Sequence, residues 1–96
     1  MLKTLHSAQQ QIFLRLLKTL REDSGTTQRE LAKSIGVDQT YVSKCEQGIR
    51  RLDVIELRRW VAGLGVPFDA FTAAVDEALD ALESQQASSG RRAGLR

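Results

Sequence analysis

The chain has 96 residues, 42% of them hydrophobic, with 14 Lys/Arg against 12 Asp/Glu and a formal net charge of +2. That composition supplies one small domain around one core and leaves too little chain for an enzyme cleft between two layers. No apolar run approaches the ~18 residues of a membrane span. The opening MLKTLHSAQQQ lacks a signal peptide's apolar stretch and cleavage site, and the lone Cys45 cannot form an internal disulfide. These features predict a protein of the reducing cytoplasm with no membrane partner.

Charge is unevenly distributed. Residues 1–60 carry eleven Lys/Arg against seven Asp/Glu, whereas residues 61–96 carry three against five. The basic excess therefore sits in the first part of the chain, where an anionic partner would bind.

In chain order, Leu5, Ile12, Phe13, Leu16, Leu17 and Leu20 recur with the period of a helix that buries one face. This first helix is expected from about Ser7 to Glu22, and Asp23-Ser24-Gly25-Thr26 supplies turn chemistry after it. Thr27 and Glu30 form a capping box for a second helix that buries Leu31, Ala32 and Ile35. Gly36 ends that helix, because glycine enters the left-handed region without steric cost. Asp38 caps a third helix with Val42 and Cys45 facing inward and Gly48 as its terminator.

Asp53 and Glu56 form a second capping box, opening a fourth helix with Leu57, Trp60, Val61 and Leu64 inside. Gly65 closes it, and Pro67 sits where a helix start tolerates proline. A fifth helix runs to about Glu83 with Phe68, Phe71, Val75, Ala78, Leu79 and Leu82 along one stripe. The chain therefore divides into a domain over residues 1–84 and a disordered polar, basic tail over residues 85–96. No stretch alternates as a strand does, so the class is all-α with five helices.

The stretch Thr27–Gly48, TQRELAKSIGVDQTYVSKCEQG, reads as two short helices joined by a tight glycine turn. Counting from Gln28, a small residue falls fifth (Ala32) and glycine ninth (Gly36). Apolar residues fall at the fourth, eighth, tenth, fifteenth and eighteenth places, namely Leu31, Ile35, Val37, Val42 and Cys45. Steeply crossing helices need the small residue to touch, the turn needs the glycine, and the apolar residues lock the pair onto its neighbours. Any single match is common; the whole set in register is not.

With TQRELAKSIGV, YVSKCEQG, RRLDVIEL and GLGV, the chain resembles the lambda-repressor-like (Cro/cI, or XRE) helix-turn-helix family from about Phe13 to Phe71. The resemblance implies a compact five-helix DNA-binding domain, usually acting as a dimer on a palindromic operator. It also implies roles for individual residues. Gln28 bonds a phosphate and braces the recognition helix, while Gln39, Thr40, Ser43 and Lys44 meet base edges. Tyr41, Gln47, Arg50 and Arg51 contact the DNA backbone, and Arg21 with Glu46 forms a buried salt bridge. One position departs from the family: the residue before Thr27 is usually leucine or methionine and is Thr26 here, which weakens an apolar anchor between the first two helices.

Chemistry alone supports part of this assignment. Gln39 can pair bidentately with adenine, Lys44 can donate to guanine, and Thr40 offers a methyl group to thymine. Arg50 and Arg51 would add sequence-blind, salt-sensitive affinity, or serve as a loop's ordinary solubilising charges. Tyr41 either lies over the sugar-phosphate backbone or packs on the fourth helix. Arg58 and Arg59 read as a solvated helix face, and Cys45 as a small core residue. His6 has no second ligand at metal spacing, so neither a metal nor a cofactor is expected. Asp76, Glu77, Asp80 and Glu83 follow the polar face of the fifth helix, and no catalytic motif is present.

The second half of the fifth-helix stripe, Val75, Ala78, Leu79 and Leu82, is expected to bury itself against a second copy. The sequence thus reads as a bacterial or phage DNA-binding regulator, most simply a dimeric repressor on double-stranded DNA. A restriction–modification controller would be a subtype of that reading. The alternative is an antitoxin-like module with a protein partner and secondary DNA binding; an enzyme accessory would need a carboxylate or histidine cluster that the chain lacks.

Overall fold

Helix starts are set by side chains that satisfy free backbone N–H groups. The computed structural model describes residues 7–87. Helix α1 (Ala8–Asp23) begins on Ser7, whose hydroxyl accepts from the Gln10 N–H at 3.1 Å. Helix α2 (Gln28–Ile35) begins on the reciprocal Thr27–Glu30 box, and α3 (Gln39–Glu46) on Asp38, which accepts from the Tyr41 N–H at 3.0 Å. Helix α4 (Val54–Gly63) begins on the Asp53–Glu56 box, with bonds of 2.7 and 2.9 Å. Each such cap contributes about 1 kcal/mol and fixes where its helix starts. Helix α5 (Phe68–Ala87) follows Pro67, whose carbonyl accepts from the Ala70 and Phe71 N–H groups. The chain is all-α.

Between α2 and α3 the chain reverses on Gly36, at φ 78°, and the Val37 N–H closes the turn onto the Ala32 carbonyl at 2.9 Å. A side chain at that φ would be strained, so glycine determines the turn. Ala32 is buried beside it, small enough for α2 and α3 to meet. Leu17, Leu31, Val42, Cys45, Trp60, Val61 and Phe71 complete one core that every helix enters. Phe13 meets Phe71 edge-on, with ring centroids 6.4 Å apart.

Two differences from the sequence expectations concern the long helices. Ser7 lies outside α1 as its cap, and the helix continues through Asp23. Helix α5 continues past Glu83 to Ala87, three residues into the segment expected to be tail. Leu5, His6 and residues 88–96 lie outside the described residues. In the second half of α5, Val75, Ala78, Leu79 and Leu82 are half-buried, and Ala78 and Leu82 line an open groove of about 470 Å³ with Ile12 and Leu16 of α1.

Helix α4 lies close against α2 at Gly63, where an added Cβ would stand 2.7 Å from the Ile35 Cγ2 methyl and 3.2 Å from Leu31 Cδ1. Leu31 is fully buried and Ile35 is β-branched, so neither yields easily. Alanine would gain up to ~1 kcal/mol of helix propensity, against ~1–3 kcal/mol of overpacking. Gly63→Ala should therefore lower stability by about 1 kcal/mol, read as a melting temperature reduced by roughly 4–8 °C. An unchanged or raised melting temperature would show that α2 and α4 separate freely at this contact.

Candidate nucleic-acid interface

The helix pair α2–α3 presents the outward side of α3, and its geometry rests on polar contacts underneath. Arg21, near the end of α1, and Glu46, the last residue of α3, are both buried. Arg21 Nε donates to Glu46 Oε2 at 2.6 Å and Nη2 donates to Oε1 at 3.0 Å, a bidentate pair. The Glu46 carboxylate holds the Arg21 guanidinium above its ordinary pKa, a larger effect than the opposing one of burial. Arg21 Nη1 donates further, to the Thr26 carbonyl at 2.9 Å. Thr26, lacking the family's usual apolar side chain, thus anchors the α1–α2 corner through its backbone.

The same carboxylate reaches the surface through glutamines. Gln28 Nε2 donates to Glu46 Oε1 at 2.9 Å, and Gln39 Nε2 donates to Gln28 Oε1 at 3.2 Å. A carboxylate can only accept, so Gln28 must turn its amide nitrogen inward and its oxygen outward. That oxygen takes one N–H of Gln39. The Gln39 oxygen and second N–H remain side by side on the exposed first residue of α3. Arg29 lines a shallow basin of about 400 Å³ together with Arg21, Thr27, Gln28 and Gln39. Its place in the first turn of α2, beside Gln28, is the sequence signal that could have singled it out.

The other residues expected at the interface divide by environment. Thr40 and Lys44 are exposed on α3. Ser43 is half-buried and its hydroxyl accepts from Gln47 Nε2 at 2.8 Å, so these two occupy each other. Arg51 is exposed in the α3–α4 loop. Arg50 is engaged: it donates to Glu56 at 3.2 and 3.4 Å and to the Arg51 carbonyl at 2.7 Å, and its guanidinium carbon lies 4.5 Å over the Tyr41 ring. Sequence reasoning named Glu56 only as a helix cap and did not find this clasp.

Tyr41 is half-buried, and burial raises its phenol pKa. The Asp53 backbone N–H, and then Arg50, hold the Glu56 carboxyl below its usual range. The clasp is accordingly present at neutral pH and is lost only as acid protonates Glu56 through that lowered value. Burial pushes the Cys45 thiol up, leaving it protonated and unreactive at neutral pH.

Among the described residues no His/Cys/Asp/Glu group could hold a metal ion, and no helix is long and apolar enough to cross a membrane.

Comparison with known proteins places this geometry. A helix-turn-helix family model matches residues 17–71. An XRE-family like protein from Pseudomonas syringae pv. tomato str. DC3000 is similar at 41% identity over 79% of this chain and 93% of that one, with a TM-score of 0.71. The wild-type restriction-modification controller protein C.Esp1396I is similar at 27% identity over 77% of this chain and 97% of its own, with a TM-score of 0.70. The same controller, as a tetramer in complex with its natural 35 base-pair operator, aligns at 28% identity over 75% and 95%, with a TM-score of 0.68. No curated protein sequence matches. With the motif's turn, its small and apolar residues and its exposed second helix all in place, the chain belongs to the XRE family of helix-turn-helix, DNA-binding transcription regulators.

Proposed function

We propose that this regulator is a dimeric repressor that reads an inverted-repeat operator in the cytoplasm of a bacterial or phage-infected cell. The observation that carries the reading is the relay Arg21–Glu46–Gln28–Gln39. It leaves Gln39 with an acceptor and a donor facing out, the pattern that pairs with the N6 and N7 edge of adenine. Thr40 and Lys44 flank it, Lys44 suited to guanine and Thr40 to a thymine methyl. Ser43, tied to Gln47, contributes at the base or sugar edge. Arg51, Arg29 and the Tyr41–Arg50 stack meet phosphates, with Gln28 close to the same strand.

Each good base contact gives roughly 1–3 kcal/mol of discrimination, whereas phosphate contacts give affinity without sequence preference. Two copies related by a two-fold would place their recognition helices about 34 Å apart, one turn of DNA. The controller protein's assembly on its operator supports an oligomer on DNA here as well. Repression would follow from occlusion of a promoter.

Selection of bound sequences from a random duplex pool, at several salt concentrations, is the direct test; a palindromic consensus is expected, and enrichment of nothing would overturn the reading. Lys44→Ala should relax base preference. Arg51→Ala should weaken an operator and a scrambled duplex equally, reducing the salt slope by about 1. Equal specificity ratios for the two variants would contradict the division of roles.

The relay has its own test. Arg21→Met leaves the buried Glu46 carboxylate without a counter-charge and should cost about 3–5 kcal/mol. Adding Glu46→Leu should recover most of that stability, because a buried ion pair is often replaceable by apolar side chains. The stable double variant should still bind DNA but discriminate less at the adenine position, since nothing then fixes the Gln28 amide. Full discrimination in that variant would mean that Gln39 orients itself.

A further inference from the structure

Among the described residues the salt bridges are Arg21–Glu46 and Arg50–Glu56, and the two use arginine differently. Arg21 grips its carboxylate through Nε and Nη2, the side fork of the guanidinium. Arg50 meets Glu56 end-on, with Nη1 donating to Oε1 at 3.4 Å and Nη2 to Oε2 at 3.2 Å, while Nη1 also donates to the Arg51 carbonyl. The Nε–H and the second Nη2–H have no partner among the described residues and form the same fork that Arg21 uses. The Arg50 side chain is 43% exposed, so that fork is open to an anion. We infer that Glu56 is a specificity-determining positioning residue. It takes one fork of Arg50 and, with Tyr41, aims the other at a DNA phosphate that comes within reach only when α3 is seated in register. The inference rests on the operator reading above and deepens it, giving Glu56 a role beyond its helix cap.

Both partners are fixed before they meet. Glu56 Oε1 accepts from the Asp53 N–H at 2.9 Å, so the carboxylate stands at a set place on the first turn of α4. Tyr41, on α3, lies under the guanidinium, with 4.5 Å between Cζ and the ring centroid. The ring covers one face, the carboxylate one edge, and the Arg51 carbonyl holds Nη1. What remains is a pair of donors tied to the recognition helix, the geometry that matches two oxygens of a phosphate. A loose arginine loses rotamer freedom in making that contact, and one already held does not.

Charge turns this rigidity into discrimination. At a distance Arg50 and Glu56 are close to a neutral pair, so they add little to the sequence-blind attraction exerted by Arg51. At contact the phosphate meets the two donors directly, with the carboxylate on another edge of the guanidinium. Base contacts from Gln39 and Lys44 set where α3 sits, and therefore which phosphate stands before Arg50. On an unrelated duplex the protein slides, and a held fork cannot follow the moving phosphates.

Glu56→Gln is the diagnostic variant, because glutamine keeps the cap acceptor for the Asp53 N–H and loses the charge. Its melting temperature should stay close to that of the wild type. In the full chain without DNA, side-chain nitrogen relaxation should show the Arg50 Nε–H ordered in the wild type and mobile in the variant, with Arg21 ordered in both. On a duplex selected by the wild type, the variant should lose about 2- to 10-fold in affinity, the scale of ordering one long side chain at an interface. A scrambled duplex should be bound no less tightly, so the specificity ratio falls by at least the same factor. In an Arg50→Ala background, Glu56→Gln should bring no further loss on the operator.

Tighter operator binding by Glu56→Gln would show that the carboxylate competes with DNA for Arg50, and would overturn the inference. So would an unchanged specificity ratio, or an operator loss that persists without Arg50. If Glu56→Gln releases Arg50 but the wild type selects no duplex, the positioning of Arg50 stands and the operator reading fails.

Discussion

The bidentate contact between Arg21 and Glu46 is the constraint on which the rest of the interface depends. It joins the end of α1 to the end of α3, and the third nitrogen of the same guanidinium holds the Thr26 carbonyl at the entry to α2. Three helices are thus referenced to one side chain. As a source of net stability a buried ion pair is weak, since desolvation of both charges offsets much of their attraction. Its value here is directional. An ionised carboxylate accepts and never donates, so the polarity of every hydrogen bond leading out from it is fixed. Gln28 and Gln39 carry that polarity to the surface, where it becomes a preference for one arrangement of donor and acceptor.

Most of the scaffold beneath this relay was legible in the sequence, for local reasons. Thr27, Asp38 and Asp53 each cap a helix by bonding an N–H three residues on, and such short-range chemistry is readable as spacing. Gly36 marks a left-handed turn because few other residues tolerate one. Ala32, Leu31, Val42 and Cys45 are buried where helical period puts them. The relay and the Arg50–Glu56 clasp were not legible in the same way. Their partners are 11, 18, 25 and 6 residues apart, and join side chains whose polarity says only that they need a partner. The Arg21–Glu46 pairing came from family resemblance, and the position of Gln28 between Glu46 and Gln39 required coordinates.

Period also has a limit of principle. The stripe Val75, Ala78, Leu79 and Leu82 announces an apolar face, but not whether that face is covered by the same chain or by a copy. Here Ile12 and Leu16 of α1 line an open groove with Ala78 and Leu82, and the stripe is left half-buried. The exposed apolar residues instead straddle a loop and a helix start, where no periodic pattern can register them. Their signal is positional: Ile49 stands exposed in the α3–α4 loop, and Val54 and Ile55 at the start of α4. Thr26 shows the same limit in reverse. Its side chain breaks the family's apolar pattern, yet its backbone carbonyl serves the anchoring role that the pattern assigns to a side chain.

In the proposed function these arrangements would separate the determinants of affinity from those of specificity along one short stretch of chain. Gln39 and Lys44 stand on α3, where their backbone is rigid and Gln39 is further braced by Gln28. Arg51 stands in a loop, where a flexible cation can follow a phosphate without fixed geometry. Arg50 lies between the two cases: its stack on Tyr41 and pairing with Glu56 limit its reach while keeping its charge close to the recognition helix.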